Sequence, residues 1–139
     1  MSVKDFRKSN SKFQFHNENP RGLVRTNDCV IRAITTAEEG NWHTTFNNLY
    51  KIAAGQGRMI SDPKVWGYHL EQTGWSKRPQ PRKSNNKKYT VHELIDLYPK
   101  GRFIISVAGH LTTVLNGKIY DTWDCGFKAV GNFWAKGII

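Results

Sequence analysis

The chain is short of cysteine, of acidic residues and of long apolar runs, and each shortage excludes something. Two cysteines, Cys29 and Cys125, are too few for the disulfide framework of a small secreted domain, and the opening MSVKDFRKSNSKFQF has no continuous apolar segment of the signal-peptide kind. Two free thiols in a reducing, cytoplasmic setting are therefore expected. No stretch approaches the roughly 20 apolar residues that cross a bilayer, so no membrane partner is expected either. Eleven Asp and Glu stand against 21 Lys and Arg, a formal charge of +10. That excess draws acidic partners at low salt, whether nucleic acid, an acidic protein or an anionic surface, and it also serves plain solubility. Nothing of the helix-turn-helix, zinc-finger or RNP type supports sequence-specific nucleic-acid recognition. His16, His43, His69 and His92 have no metal-ligand spacing with a cysteine or with one another, so no metal and no cofactor is called for.

What is present suffices for one core. At 139 residues, with hydrophobic residues at 38% and aromatics at 12%, the chain can bury a single domain without staples. Residues 1–21, with Lys4, Arg7, Lys8, Lys12 and Arg21, read as a basic arm that is mobile or packs late; within it, Phe13 and Phe15 alternate with polar neighbours as a short strand would. Residues 22–139 read as the domain. A helix is expected from Cys29, with Val30, Ile31, Ile34 and Ala37 on one side, Asn27 or Asp28 as its cap and Gly40 as its end. Trp42, Phe46, Leu49, Tyr50 and Ala53 give a second helix whose aromatics are assigned to the core. Ser61-Asp62-Pro63 opens a third that buries Val65, Trp66, His69 and Leu70 before Gly74. Residues 77–88, KRPQPRKSNNKK, read as an exposed basic loop, and Thr90 with Glu93 forms a capping box for a fourth helix that stops before Pro99. The pattern then turns to strands at 103–107 and 111–121, with a last strand within 126–134. Helices followed by an antiparallel sheet define an α+β fold in two packed layers.

Asn116-Gly117 is the strongest short-range hairpin signal in the chain and fixes a register. Leu115 then faces Lys118, Val114 faces Ile119, Thr112 faces Asp121, and His110 faces Trp123. Side chains alternate, so His110, Thr112, Asp121 and Trp123 share one face while Asp124 points to the other. Asp121 is a diagonal neighbour of His110, with backbones about 7–8 Å apart and side chains in reach. It can orient the imidazole, and Trp123 can shield that bond from water and serve as a substrate contact. Cys29 sits at a helix N-terminus, where unpaired N–H groups favour the thiolate, and a nearby imidazolium would favour it further. Cys29, His110 and Asp121 are thus candidates for nucleophile, base and orienter. Cys125 shares the His110 face if the strand runs on regularly, but it lacks the helix terminus, and Gly126 suggests a bend there.

NDCVIRAI around Cys29 and GHLTTVLNGKIYDTWD around His110 and Asp121 resemble the papain-like cysteine peptidase clan, most of all the branch that includes bacteriocin-leader peptidases. The resemblance is one of motif and order and spans Asn27–Asp124. It implies a papain-like fold and a thiol hydrolase of peptide, isopeptide or related amide bonds, without a cofactor. Many members carry an oxyanion-hole Gln six residues before the nucleophile; here that position is Leu23. Asn27 is the nearest amide side chain and the favoured donor, Gln14 the nearest upstream glutamine, and the backbone N–H of Cys29 can donate in any case. The expected substrate is a protein or peptide, of acidic character if the basic surface guides it. Deamidation or amide transfer on the same triad, and a non-catalytic basic binding module on the same scaffold, are the alternatives. A compact enzyme of this kind suits a phage or mobile element.

Overall fold

The computed structural model describes residues 7–137, so Lys4 of the basic arm lies outside the described residues. Among the described residues ten elements follow one another: β1 (Phe13–Phe15), α1 (Cys29–Glu38), α2 (Trp42–Gln56), α3 (Pro63–Gln72), β2 (Ser76–Arg78), α4 (Val91–Leu97), β3 (Arg102–Val107), β4 (His110–Leu115), β5 (Lys118–Asp121) and β6 (Phe133–Lys136). One six-stranded sheet of order β1-β5-β4-β3-β6-β2 runs antiparallel throughout, except that β1 lies parallel to β5. The class is α+β. None of the helices among the described residues is long and apolar enough to cross a membrane.

Three layers form rather than the expected two. Phe103, Ile104 and Ile105 of β3 are consecutive and all buried, and a strand apolar on both faces needs cover on both. Ile104, Leu111 and Trp134 pack beneath α1, α2 and α3, whereas Phe103, Ile105, Val114, Ile119 and Phe133 pack with Val91, Leu94 and Ile95 of α4. The capping box at Thr90 and Glu93 starts α4 as expected, and the Asp62 carboxylate caps α3 over Lys64 N–H. The chain leaves α1 in a left-handed turn at Glu39, φ +52°, one residue before Gly40.

Two strands come from stretches with little apolar signal. Phe13 is fully buried, and Phe13–Phe15 pair with Ile119–Asp121, so this part of the basic arm completes the sheet. Lys77 and Arg78, expected as the start of a loop, form with Ser76 a strand that pairs with Phe133–Ala135 as the opposite edge. Lysine and arginine on an edge strand discourage pairing with other chains, and they also hide the strand from hydrophobic periodicity. The final strand begins at Phe133, late in the window expected for it.

The β4–β5 hairpin has the expected register, Leu115 facing Lys118 and Val114 facing Ile119, with Asn116 at φ +46° and Gly117 at φ +83°. A Cβ at Gly117 would lie 3.0 Å from the Pro99 carbonyl oxygen. Gly117→Ala is therefore expected to cost about 1–2 kcal/mol in urea unfolding, from left-handed strain and that contact together. Asn116→Gly relieves the left-handed strain but removes the Oδ1 that accepts from the Gly101 N–H at 3.1 Å, and should cost less, at most about 1 kcal/mol.

Candidate active site

Three elements meet at one end of the sheet. The N-terminus of α1 brings Cys29, a tight turn at Ala108-Gly109 (φ +68° at Gly109) leads into β4 and sets His110 at its first residue, and the last residue of β5 is Asp121. The Thr113 hydroxyl donates to the Ala33 carbonyl at 2.6 Å, clamping α1 onto β4 and fixing the height of Cys29 relative to His110.

His110 Nε2 lies 2.6 Å from Asp121 Oδ2, which leaves Nδ1 for Cys29. The same carboxylate oxygen accepts from Thr112 Oγ1 at 2.6 Å, and Oδ1 accepts from the Thr122 N–H at 2.6 Å. Thr112 does face Asp121 as the register requires. β5 ends at Asp121, however, so His110 and Trp123 do not pair as strand residues. Trp123 returns by another path, its ring centroid 5.0 Å from that of His110 and tilted by 47°.

Charge reinforces the geometry. Burial pushes the Cys29 thiol up, but hydrogen bonding from His110 and the Leu111 backbone, together with the positive charge of His110 and Arg32, outweighs it, and the net direction is down. Burial alone would lower the His110 imidazolium; its bonds to Asp121 and Cys29 push it instead up to about 9. Opposite shifts in a thiol and an imidazole that share a bond favour a thiolate–imidazolium pair.

Cys125 is fully buried and burial pushes its thiol well up, so it does not compete as nucleophile; both cysteines are free. His110, Asp121 and Cys125 offer ligand atoms within 4.8 Å of one another, the one such cluster among the described residues. Nε2 and the carboxylate already bond each other there, and a thiol held protonated is a poor ligand, so we assign no metal. His16, His69 and His92 are paired with Glu18, Glu38 and Asp124. Asp124 also accepts from Asn10 and the Gly126 N–H, away from the His110 ring.

Asn27 is exposed at φ +58° and lines, with Cys29, a groove of about 880 Å³. Gln14 is on β1 with its amide on the Phe15 carbonyl, and half-exposed Leu23 is part of the groove wall. Of the α2 aromatics assigned to the core by their spacing, Trp42 and Phe46 are half-buried and do pack against it, while Tyr50 is exposed. Leu49 and Ala53 face inward, while Trp42, Phe46 and Tyr50 stack along the outer flank, and Trp42 and Phe46 floor the groove with Met59 and Ile60.

Asp28 occupies the cap position of α1 without capping it. Its carboxylate accepts instead from Asn19 Nδ2 at 2.9 Å and Trp42 Nε1 at 3.0 Å and pairs with Arg32. Burial raises the Asp28 carboxyl, but those partners carry it below its usual range. Neither Asn19 nor Arg32 stands out from local pattern; the signal for Arg32 is its i,i+4 spacing from Asp28 amid Val30, Ile31 and Ala33. No protein-family profile, curated protein or solved structure matches the chain.

Proposed function

We propose that the chain is a cysteine hydrolase with a papain-like arrangement, acting on amide bonds of a protein or peptide. The observation that carries the reading is the Asp121 carboxylate 2.6 Å from His110 Nε2, with Cys29 beside the same ring and thiol and imidazole shifted in opposite directions by their interaction. Cys29 as thiolate attacks the carbonyl carbon, a C–S bond forms, and the charge on oxygen meets the Cys29 N–H and the Asn27 amide. His110 hands its proton to the departing nitrogen as the C–N bond breaks, then takes a proton from water, whose oxygen replaces sulfur and frees the acid. Asp121 orients the ring throughout, and Trp123 keeps water from the His110–Asp121 bond while touching substrate. The groove beside Cys29 suits an apolar side chain of that substrate. Two free cysteines suit a reducing compartment such as the cytoplasm.

A chloromethyl ketone carrying one apolar amino acid tests this. Intact mass and peptide mapping should find a single adduct, on Cys29, absent in Cys29→Ser. Phe46→Ala should slow the labelling several-fold while a small alkylating agent is unaffected. An adduct on Cys125, or labelling no faster than that of a free thiol, would overturn the reading.

A further inference from the structure

Arg32 lies within one turn of Cys29 on α1 and is only 7% exposed, a costly place for a guanidinium unless it is well paired. Nη1 holds the Asp28 carboxylate, and Nη2 lies 4.0 Å from Asp121 Oδ1. Charges therefore alternate along Asp28, Arg32, Asp121, His110 and Cys29, and the line closes on itself, because Cys29 follows Asp28 in the chain. Catalysis by the triad uses only the last three.

We infer that Arg32 is a positioning residue that holds the buried Asp121 carboxylate in place while His110 gives up and regains its proton, an assignment that rests on the triad reading. When His110 gives its proton to the leaving nitrogen, Asp121 loses the cation beside it. The neutral donors Thr112 and Thr122 remain, but a carboxylate at 5% side-chain exposure with no positive neighbour is a costly buried charge, free to turn away from the ring toward any better partner. Arg32 supplies the positive charge that does not leave with the proton, since a guanidinium does not titrate in proteins. Asp28, itself anchored by Asn19 and Trp42, restrains the guanidinium from moving onto the Cys29 thiolate in place of His110. The crevice beside Arg32 is also lined by His16, which is paired with Glu18, and by Tyr120; Cys125 adds no charge, being held as the thiol.

The test is the pH dependence of Cys29 alkylation by iodoacetamide in four proteins: the unmodified chain, Arg32→Lys, Asp28→Asn, and the Asp28→Asn/Arg32→Met pair, which removes both charges without stranding one. Cooperative thermal melts establish that each is folded, and Asp28→Asn/Arg32→Gln replaces the Met pair if that pair does not melt cooperatively. Loss of Arg32 should move the acid limb to higher pH, so that at pH 6 the pair reacts roughly three- to tenfold more slowly than Asp28→Asn, the size expected of a nearby charge at an effective dielectric near 20. Arg32→Lys should keep most of the rate. A residue that only stabilised the fold would shift the melts and leave the profile in place, so superposed profiles of Asp28→Asn and the folded pair would overturn the role of Arg32 alone. An unmodified protein whose Cys29 reacts like a free thiol at pH 6 would overturn the triad and Arg32 together.

Discussion

Cys29 is expected to react with iodoacetamide at pH 6 at least tenfold faster than an ordinary thiol, and His110→Ala to remove the advantage. A thiol of pKa about 8.5 is roughly 0.3% ionised at that pH. A thiol lowered by an imidazolium is ionised to a larger fraction, and the lower intrinsic nucleophilicity of its thiolate takes back only part of the gain. The sign follows from the two shifts. The Cys29 thiol is lowered and the His110 imidazolium is raised to about 9, so the ion pair persists from the lowered thiol pKa up to about pH 9. Above pH 9 the thiolate remains but the acid is gone, and hydrolysis should fall while alkylation does not. Stability is linked in the same way. The His110 contribution is full below its unfolded pKa of about 6.5 and is lost as pH rises through about 9. That of Cys29 is present above its unfolded pKa and is lost as pH falls through the lowered value. Cys125 serves as an internal control, since its burial should leave it unlabelled until the protein unfolds. Equal rates in the unmodified protein and a folded His110→Ala would contradict the pairing.

Replacing Asp121 by Ala should cost far more activity than replacing Asp124. Asp121 holds His110 at 2.6 Å and stands 4.0 Å from Arg32; without it the ring loses its fixed tautomer, and a loss on the order of 10²–10⁴ in turnover is expected. Thr112 and Arg32 would also be left short of a partner, so stability should fall by about 1–3 kcal/mol as well. Asp124→Ala breaks bonds to His92, Asn10 and the Gly126 N–H and should cost about 1–2 kcal/mol with turnover nearly intact. Turnover of the chloromethyl-ketone-related amide, measured beside urea unfolding, separates the two. A folded, inactive Asp124 variant beside a working Asp121 variant would reverse the assignment.

The parts legible in the sequence are those set by neighbours. The Asn116-Gly117 turn, the Thr90–Glu93 box and the Asp62-Pro63 start each need only a few adjacent residues, and the hairpin register alone brings Asp121 to His110. Parity could not say where β5 stops: the Thr122 N–H folds back onto the Asp121 carboxylate, which marks the strand end and takes Trp123 out of the ladder. The second helical layer was hidden because β3 carries apolar residues on both faces and the short α4 supplies the cover. Tyr50 looked like core because its spacing is helical, yet periodicity identifies a face and not what stands opposite it. Asp28 looked like a cap because the partners that take its carboxylate, Asn19 and Trp42, are 9 and 14 residues away.

The clamp from Thr113 to Ala33 joins residues 80 apart in the chain. Synthesis runs from the N-terminus at roughly 5–20 residues per second, so the helix bearing the nucleophile emerges from the ribosome about 4–16 s before the strand bearing its base. During that interval Cys29 has neither imidazole nor carboxylate and should behave as an ordinary thiol. β1 waits longer still, since its partner β5 is made after β4. The chain therefore brings Cys29, His110 and Asp121 together only after its final third has emerged, and the order of the elements itself delays any reactivity that depends on the three.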